Sequence, residues 1–218
     1  MTVTVTHGSG ARSWRLRAVA EPAAGERCRV PDEVLELLCQ EVVAAVGTPE
    51  SVLELWAERG QMLPRALGIL QPRRARALVS SPDTVPAALI PTPGLQLGAM
   101  EDEPEPAQAV LGVPPWRWAP SRVTLAGRSG PVELCDDPAH VTLLRACVAL
   151  PRDGVAAVVV GLGFLARRGS RTVAANCERF GIRITRALAL DRSLFRPASG
   201  PGRVLVVLRR SSAAVRPS

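Results

Sequence analysis

Apolar positions along the chain switch repeatedly between helical and strand periods. In "PDEVLELLCQEVVAAVG", Val34, Leu37, Leu38, Val42 and Val43 recur on one helical face. Pro31 stands at the start of that helix, where a missing N–H is harmless. Asp32 and Glu33 suit its positive end, and Gly47 stops it. "SVLEL" reads as a short strand running into the loop "WAERG". "QMLPRALGIL" is a helix that confines Pro64 to its first turn. Next come a strand in "RARALVSS", a weak helix or turn in "DTVPAALI", and strands in "GLQLGAM" and "AVLGV". Residues 117–138 read as irregular, with the turn-forming "GRSGP" among them. "DPAHVTLLRACVALPRDG" is a helix, "VAAVVVGLG" a continuous buried strand, and "SRTVAANCERFG" a helix stopped by Gly181. "IRITRALAL" and "RVLVVLRR" close the pattern as two strands. At the amino end "MTVTVTH" alternates as an edge strand would, or forms a loose tail, and "SWRLRAVA" fits a second short strand.

Strands that alternate with helices imply an α/β fold with a doubly wound, mostly parallel sheet. The last two strands lack an intervening helix, which predicts an antiparallel strand at one edge. Ligands of such a sheet bind beyond the carboxyl ends of its strands. The expected division is a strand or tail over 1–24, one domain over 25–210 and a tail over 211–218. The acidic "EDEPEPAQ" reads as a solvated surface loop.

Composition refines this picture. Apolar residues make up 47% and aromatics only 3%, so Val, Leu and Ala must fill the core. The net charge of +7 is carried by arginine alone, since lysine is absent. A basic surface favours polyanions, and the guanidinium fork suits phosphate. Tyrosine is also absent and Asn176 is the only asparagine, a bias that GC-rich codon usage produces without any functional demand. The five cysteines are scattered without a CxxC pair, and His7 and His140 are the only histidines, so no metal site is expected. Cys39 and Cys147 fall within apolar helical patterns and read as core. "MTVTVTHGSG" lacks a signal-peptide core, and "GVAAVVVGLGFLA" is too short to span a bilayer, so a cytoplasmic, membrane-free protein is expected.

The exit from the fourth core strand carries a family resemblance. "AVLGVPPWRW" resembles the Asn/Asp-Pro-Pro-aromatic signature of N6-adenine DNA methyltransferases, in particular type I restriction modification subunits. "GERCRVPDEVLELL", "SVLELWAERGQML", "LLRACVALPRDGVAAVVVGLGFLARRG" and "ITRALALDRSLFRPASGPGRVLVVLRR" are similar to that family's segments in the same order. The resemblance implies a Rossmann-like class I methyltransferase fold with S-adenosylmethionine as its cofactor. It assigns a cofactor loop to Glu54, Trp56, Glu58 and Gly60, of which only Gly60 keeps a family glycine. It assigns the ribose-binding acid to the region of Ser80 and Ser81, with Asp83 slightly late, and the adenine contact to Ala99, with Asp102 following. It assigns the catalytic signature to Val113, Pro114, Pro115 and Trp116. In the family, the first residue of that signature accepts a hydrogen bond from the target amino group, while the aromatic stacks on a flipped base. Valine accepts no hydrogen bond. Arg117, Arg167, Arg168 and Arg171 are the candidate phosphate contacts; a solvated basic edge is the plainer role for the last three.

The leading expectation is therefore a degenerate methyltransferase fold that works without cofactor, as a structural or DNA-binding subunit of a DNA modification or defence assembly. A protein partner is expected with it, since nothing beyond residue 210 reads as a target-recognition region. Two alternatives stand beside it. One is an active, divergent methyltransferase on DNA, RNA or another acceptor; the other is a basic nucleic-acid-binding scaffold without methyltransferase ancestry.

Overall fold

A computed structural model describes residues 2–7, 10–15, 30–57, 60–79, 89, 92, 94–100, 102–114, 122–127, 130–135, 138–162, 169–195 and 202–210. Near the amino end β1 (Thr2–His7) and β2 (Gly10–Arg15) pair as an antiparallel ribbon outside the main sheet. Two further strands, β7 (Arg122–Gly127) and β8 (Gly130–Cys135), form a second ribbon of the same kind. The centre is a seven-stranded sheet built from β3 (Ser51–Leu55), β4 (Arg74–Val79), β5 (Leu95–Ala99), β6 (Ala109–Gly112), β9 (Val155–Gly161), β10 (Ile182–Leu190) and β11 (Arg203–Arg210). Their spatial order is β10-β11-β9-β6-β3-β4-β5. Pairings from β9 through β6, β3 and β4 to β5 are all parallel. The doubly wound sheet and its antiparallel edge are as expected. The reversed strand is β11, wedged between β9 and the outermost β10 and antiparallel to both.

Helices cover both faces. On one side lie α1 (Asp32–Val46) and α2 (Met62–Leu70), over a core that includes Val52, Ala77, Leu111, Ala157 and Leu205. On the other lie α3 (Pro138–Ala149) and α4 (Gly169–Arg179), over Leu53, Leu78, Val110, Val158 and Val206. Strand alternation produces this division, since neighbouring residues of a strand point to opposite faces. Among the described residues no helix is long and apolar enough to cross a membrane, and no cluster of His, Cys, Asp and Glu could hold a metal ion.

Three local expectations are corrected. The buried face of α1 is Val34, Leu35, Leu38, Cys39 and Val42, while Val43 is 46% exposed and Leu37 only half-buried. The apolar stripe is rotated because α1 packs against α2 as well as the sheet. Residues 122–127 and 130–135 are not irregular; they are the strands of the β7–β8 hairpin, closed by the Gly127–Gly130 pair. Finally, the acidic segment between β5 and β6 is not simply solvated. Pro104 and Ala107 are buried, Arg76 forms an ion pair with Glu105 at 2.7 Å, and Arg145 donates to the Asp102 carbonyl at 2.7 Å. The segment is a tied strap. Most of "DTVPAALI" lies outside the described residues.

The carboxyl ends of α3 and α4 share the Arg210 cation. The last turn of α3 has no basic residue of its own. Instead Arg210, at the end of β11, donates from Nε and Nη2 to the Leu150 carbonyl at 3.1 and 2.5 Å, and from Nη1 to the Phe180 carbonyl at 2.7 Å. A guanidinium at two negative helix ends satisfies orphan carbonyls and opposes both dipoles. Arg210→Met is expected to cost about 1.5–3 kcal/mol, the range for hydrogen bonds to a charged group, measured by urea unfolding. Arg210→Lys should recover part of it.

Cys39, Cys147 and Cys177 are buried. Burial, with Glu36 nearby, pushes the Cys39 thiol up to about 11 from 9.0. The folded state therefore favours the protonated thiol, and this contribution to stability is whole below pH 9.0 and lost as pH rises through about 11. Replacing Cys39 with Ala should flatten that alkaline fall in melting temperature.

Candidate functional site

In an open α/β sheet the ligand crevice lies at the carboxyl ends of the strands, where the winding direction reverses. Here that switch point is between β3 and β6: the chain proceeds from β3 to β4 and β5 on one side, then returns to β6 on the other. The residues that follow β3 and β6 therefore decide what the crevice can hold.

Trp56 directly follows β3 and has φ +63, a left-handed conformation that costs a side-chain-bearing residue roughly 1–2 kcal/mol. Its indole Nε1 donates to Thr142 Oγ1 on α3 at 2.6 Å. The side chain is partly buried and packs against the core on the α3 side. Thr142 itself lies over β6, its Cγ2 2.9 Å from where a Cβ on Gly112 would stand. The Leu55 Cβ is 3.6 Å from the same point. The indole thus reaches from the end of β3 towards α3, beside the end of β6.

Gly60 is buried with φ +59, and its N–H donates to the Ala57 carbonyl at 3.0 Å, so the loop keeps a glycine turn there. Glu54 is 3% exposed and its Oε2 accepts from the Leu63 N–H at 3.0 Å. That carboxylate sits at the positive end of α2, a favourable place for a buried anion. Val113 is half-buried and packs into the core on the α1–α2 side, and Pro114 is buried. Ala99 ends β5; its N–H donates to Asp102 Oδ2 at 2.7 Å, so Asp102 closes its own turn.

Glu58, Ser80, Ser81, Asp83, Pro115, Trp116, Arg117, Arg167 and Arg168 lie outside the described residues. Arg171 is on α4, with only its backbone described. The structure therefore brings Glu54, Trp56, Gly60 and Val113 to the carboxyl ends of β3 and β6, while Ala99 ends β5 two strands away from β3.

The sequence motifs give no role to Thr142 or to the buried Arg145, which falls within the segment beginning "LLRACVALP", although a signal for both exists. Positions from Val141 to Cys147 are buried without a break, and α3 is covered by β6, β9, β7 and α4. A mostly apolar helix without a polar face is buried all round, so its few polar residues must find interior partners. Thr142 is 0% and Arg145 1% exposed.

Neither a protein-family profile nor a curated protein sequence matches the chain. Solved structures do. A protein of Listeria monocytogenes assigned to the class I S-adenosylmethionine-dependent methyltransferases aligns with TM-score 0.67 at 12% identity, over 87% of this chain and 62% of that one. A protein of Pyrococcus horikoshii assigned as an RNA methyltransferase aligns with TM-score 0.61 at 13% identity, over 92% and 93%. The methyltransferase subunit of a type I restriction-modification system from Streptococcus thermophilus gives TM-score 0.65 at 17% identity, over 88% and 46%. The chain has the class I methyltransferase fold. It spans 62% of the Listeria methyltransferase and less than half of the Streptococcus subunit.

Within this methyltransferase fold the Trp56–Thr142 bond holds the indole in place together with its packing against the core. Thr142→Val keeps the volume and removes the acceptor. It should cost about 1–2 kcal/mol in unfolding free energy and shift the tryptophan fluorescence of the folded protein.

Proposed function

We propose that this chain is a degenerate methyltransferase-fold protein, one that does not transfer methyl groups and serves as a structural or DNA-binding subunit of a DNA modification or defence assembly. The observation that carries the reading is Trp56: a bulky side chain held at φ +63, with its indole fastened to α3 at the switch-point crevice. A cofactor loop needs small residues at such a position so that backbone can approach the ligand. S-adenosylmethionine does not fit the residues present. The Glu54 carboxylate is engaged with α2, and Val113 turns an apolar side chain into the core where a hydrogen-bond acceptor is required. Chemistry and cofactor contacts are thus lost together. The DNA-directed role draws support from the +7 charge and from the fold shared with the Streptococcus restriction-modification subunit.

Calorimetric titration with S-adenosylmethionine tests the reading. No binding heat is expected at cofactor concentrations up to the millimolar range, and no label should pass from methyl-labelled cofactor to DNA or RNA. Trp56→Gly removes the indole and suits the left-handed backbone, so any restored cofactor binding should appear in that variant first. Micromolar binding by the unmodified chain would overturn the proposal and favour an active, divergent enzyme.

A further inference from the structure

The end of the sheet opposite the crevice carries an arginine cluster that neither the core nor the crevice uses. Arg183 of β10 lies directly across from Arg209 of β11 in the antiparallel register, with Cα atoms about 4.5–5.5 Å apart. Both residues are exposed. Ile182 and Ile184 pack towards the α3–α4 side, so alternation turns Arg183 to the α1 side. Arg209 points the same way, donating from Nη2 to the Ala45 carbonyl near the end of α1 at 3.1 Å. Arg186 joins them on that face, its Nη1 2.6 Å from Glu41 Oε1 on α1 and its side chain 56% exposed. Three guanidinium groups thus share this face with the Glu41 carboxylate.

Like charges directly opposite on neighbouring strands destabilise a sheet. Charged side chains can protect an edge strand from illicit pairing, which accounts for Arg183 and Arg186. It does not account for Arg209, because β11 lies inside the sheet between β9 and β10. The Ala45 bond occupies one nitrogen of Arg209 and leaves the cross-strand repulsion with Arg183 in place. An anion shared by the two guanidinium groups relieves it, and the planar guanidinium fork matches phosphate oxygens.

We propose that the Arg183–Arg186–Arg209 face is a docking surface for the phosphate backbone of nucleic acid, read without base preference. β10 runs parallel to β9, so its start and the end of β11 lie at the amino ends of the parallel strands, away from the crevice. Nucleic acid held here is bound and not presented for reaction. The inference rests on the nucleic-acid part of the function proposed above, to which it gives a location, and does not depend on the loss of methyl transfer.

The test is duplex DNA binding by fluorescence anisotropy between about 50 and 200 mM salt. The Arg183→Ala/Arg209→Gln double variant should bind at least about tenfold more weakly, with the slope of log affinity against log salt reduced by about 2, as for two lost phosphate contacts. Arg73→Ala/Arg74→Ala removes the same charge from exposed positions at the entry to β4 and should leave the slope nearly unchanged. An unchanged melting temperature identifies the loss as one of contact; Arg183→Glu, at an exposed position, serves if the double variant is unstable. Equal slopes in both double variants, or no duplex binding by the unmodified chain, would overturn the proposal. Binding of polyglutamate in place of duplex would also overturn it, assigning the face to an acidic protein. Cofactor binding with intact patch-dependent DNA binding would sink only the reading of lost methyl transfer.

Discussion

A parallel sheet wound in both directions from one strand leaves a crevice beside that strand, and the residues that follow the strand decide its shape. Here the winding reverses between β3 and β6, and the first residue beyond β3 is Trp56. The indole turns towards α3 because the backbone accepts φ +63, and it stays there because Thr142 accepts its N–H. The strain of a left-handed tryptophan is of the same order as the hydrogen bond that holds it, so ring packing decides the balance in favour of this conformation. The neighbouring strand is constrained in turn. Gly112 has no room for a side chain, because a Cβ there would press on the Thr142 methyl group.

The interior is organised around α3, which is buried on nearly every side. Such a helix has little solvent face on which to place its polar groups, so each must be answered by another element. Thr142 receives the indole, Arg145 ties down the strap between β5 and β6, and the carboxyl end is satisfied by Arg210. The same guanidinium reaches Phe180 beyond α4. The last residue of β11 thereby couples two helices that are far from it in sequence, and the antiparallel strand does more than complete the sheet.

Charge is divided along the same lines. Arginines directed inward, at Arg76, Arg145 and Arg203, are engaged in holding loops or stacking, as in the Arg203 guanidinium 4.3 Å from the Phe195 ring centroid. Arg183, Arg186 and Arg209 are exposed on one side of the sheet, where Arg186 also meets Glu41 and Arg209 the Ala45 carbonyl. A basic composition therefore understates how unevenly the cationic surface is arranged.

Most of the architecture is legible in the sequence because burial on two faces writes itself into residue type. Val155–Val160 is uninterrupted and apolar, and α1 and α2 carry helical stripes between clear stop signals. The parallel strands, their helices and the antiparallel end can be read directly from these patterns. The β7–β8 hairpin escapes such a reading because Gly127, Gly130 and Pro131, at the facing ends of its strands, outweigh the alternation on either side. At the candidate site, the identities of Trp56 and Val113 already depart from the signature residues of the family that the chain resembles. What sequence does not supply is direction. Whether an indole points to solvent or towards α3 depends on one dihedral angle and on an acceptor 86 residues away, and whether Arg183 and Arg209 confront each other depends on strand register. Residue type and local period are properties of neighbours along the chain; partners across a sheet or between helices are set only when the elements pack.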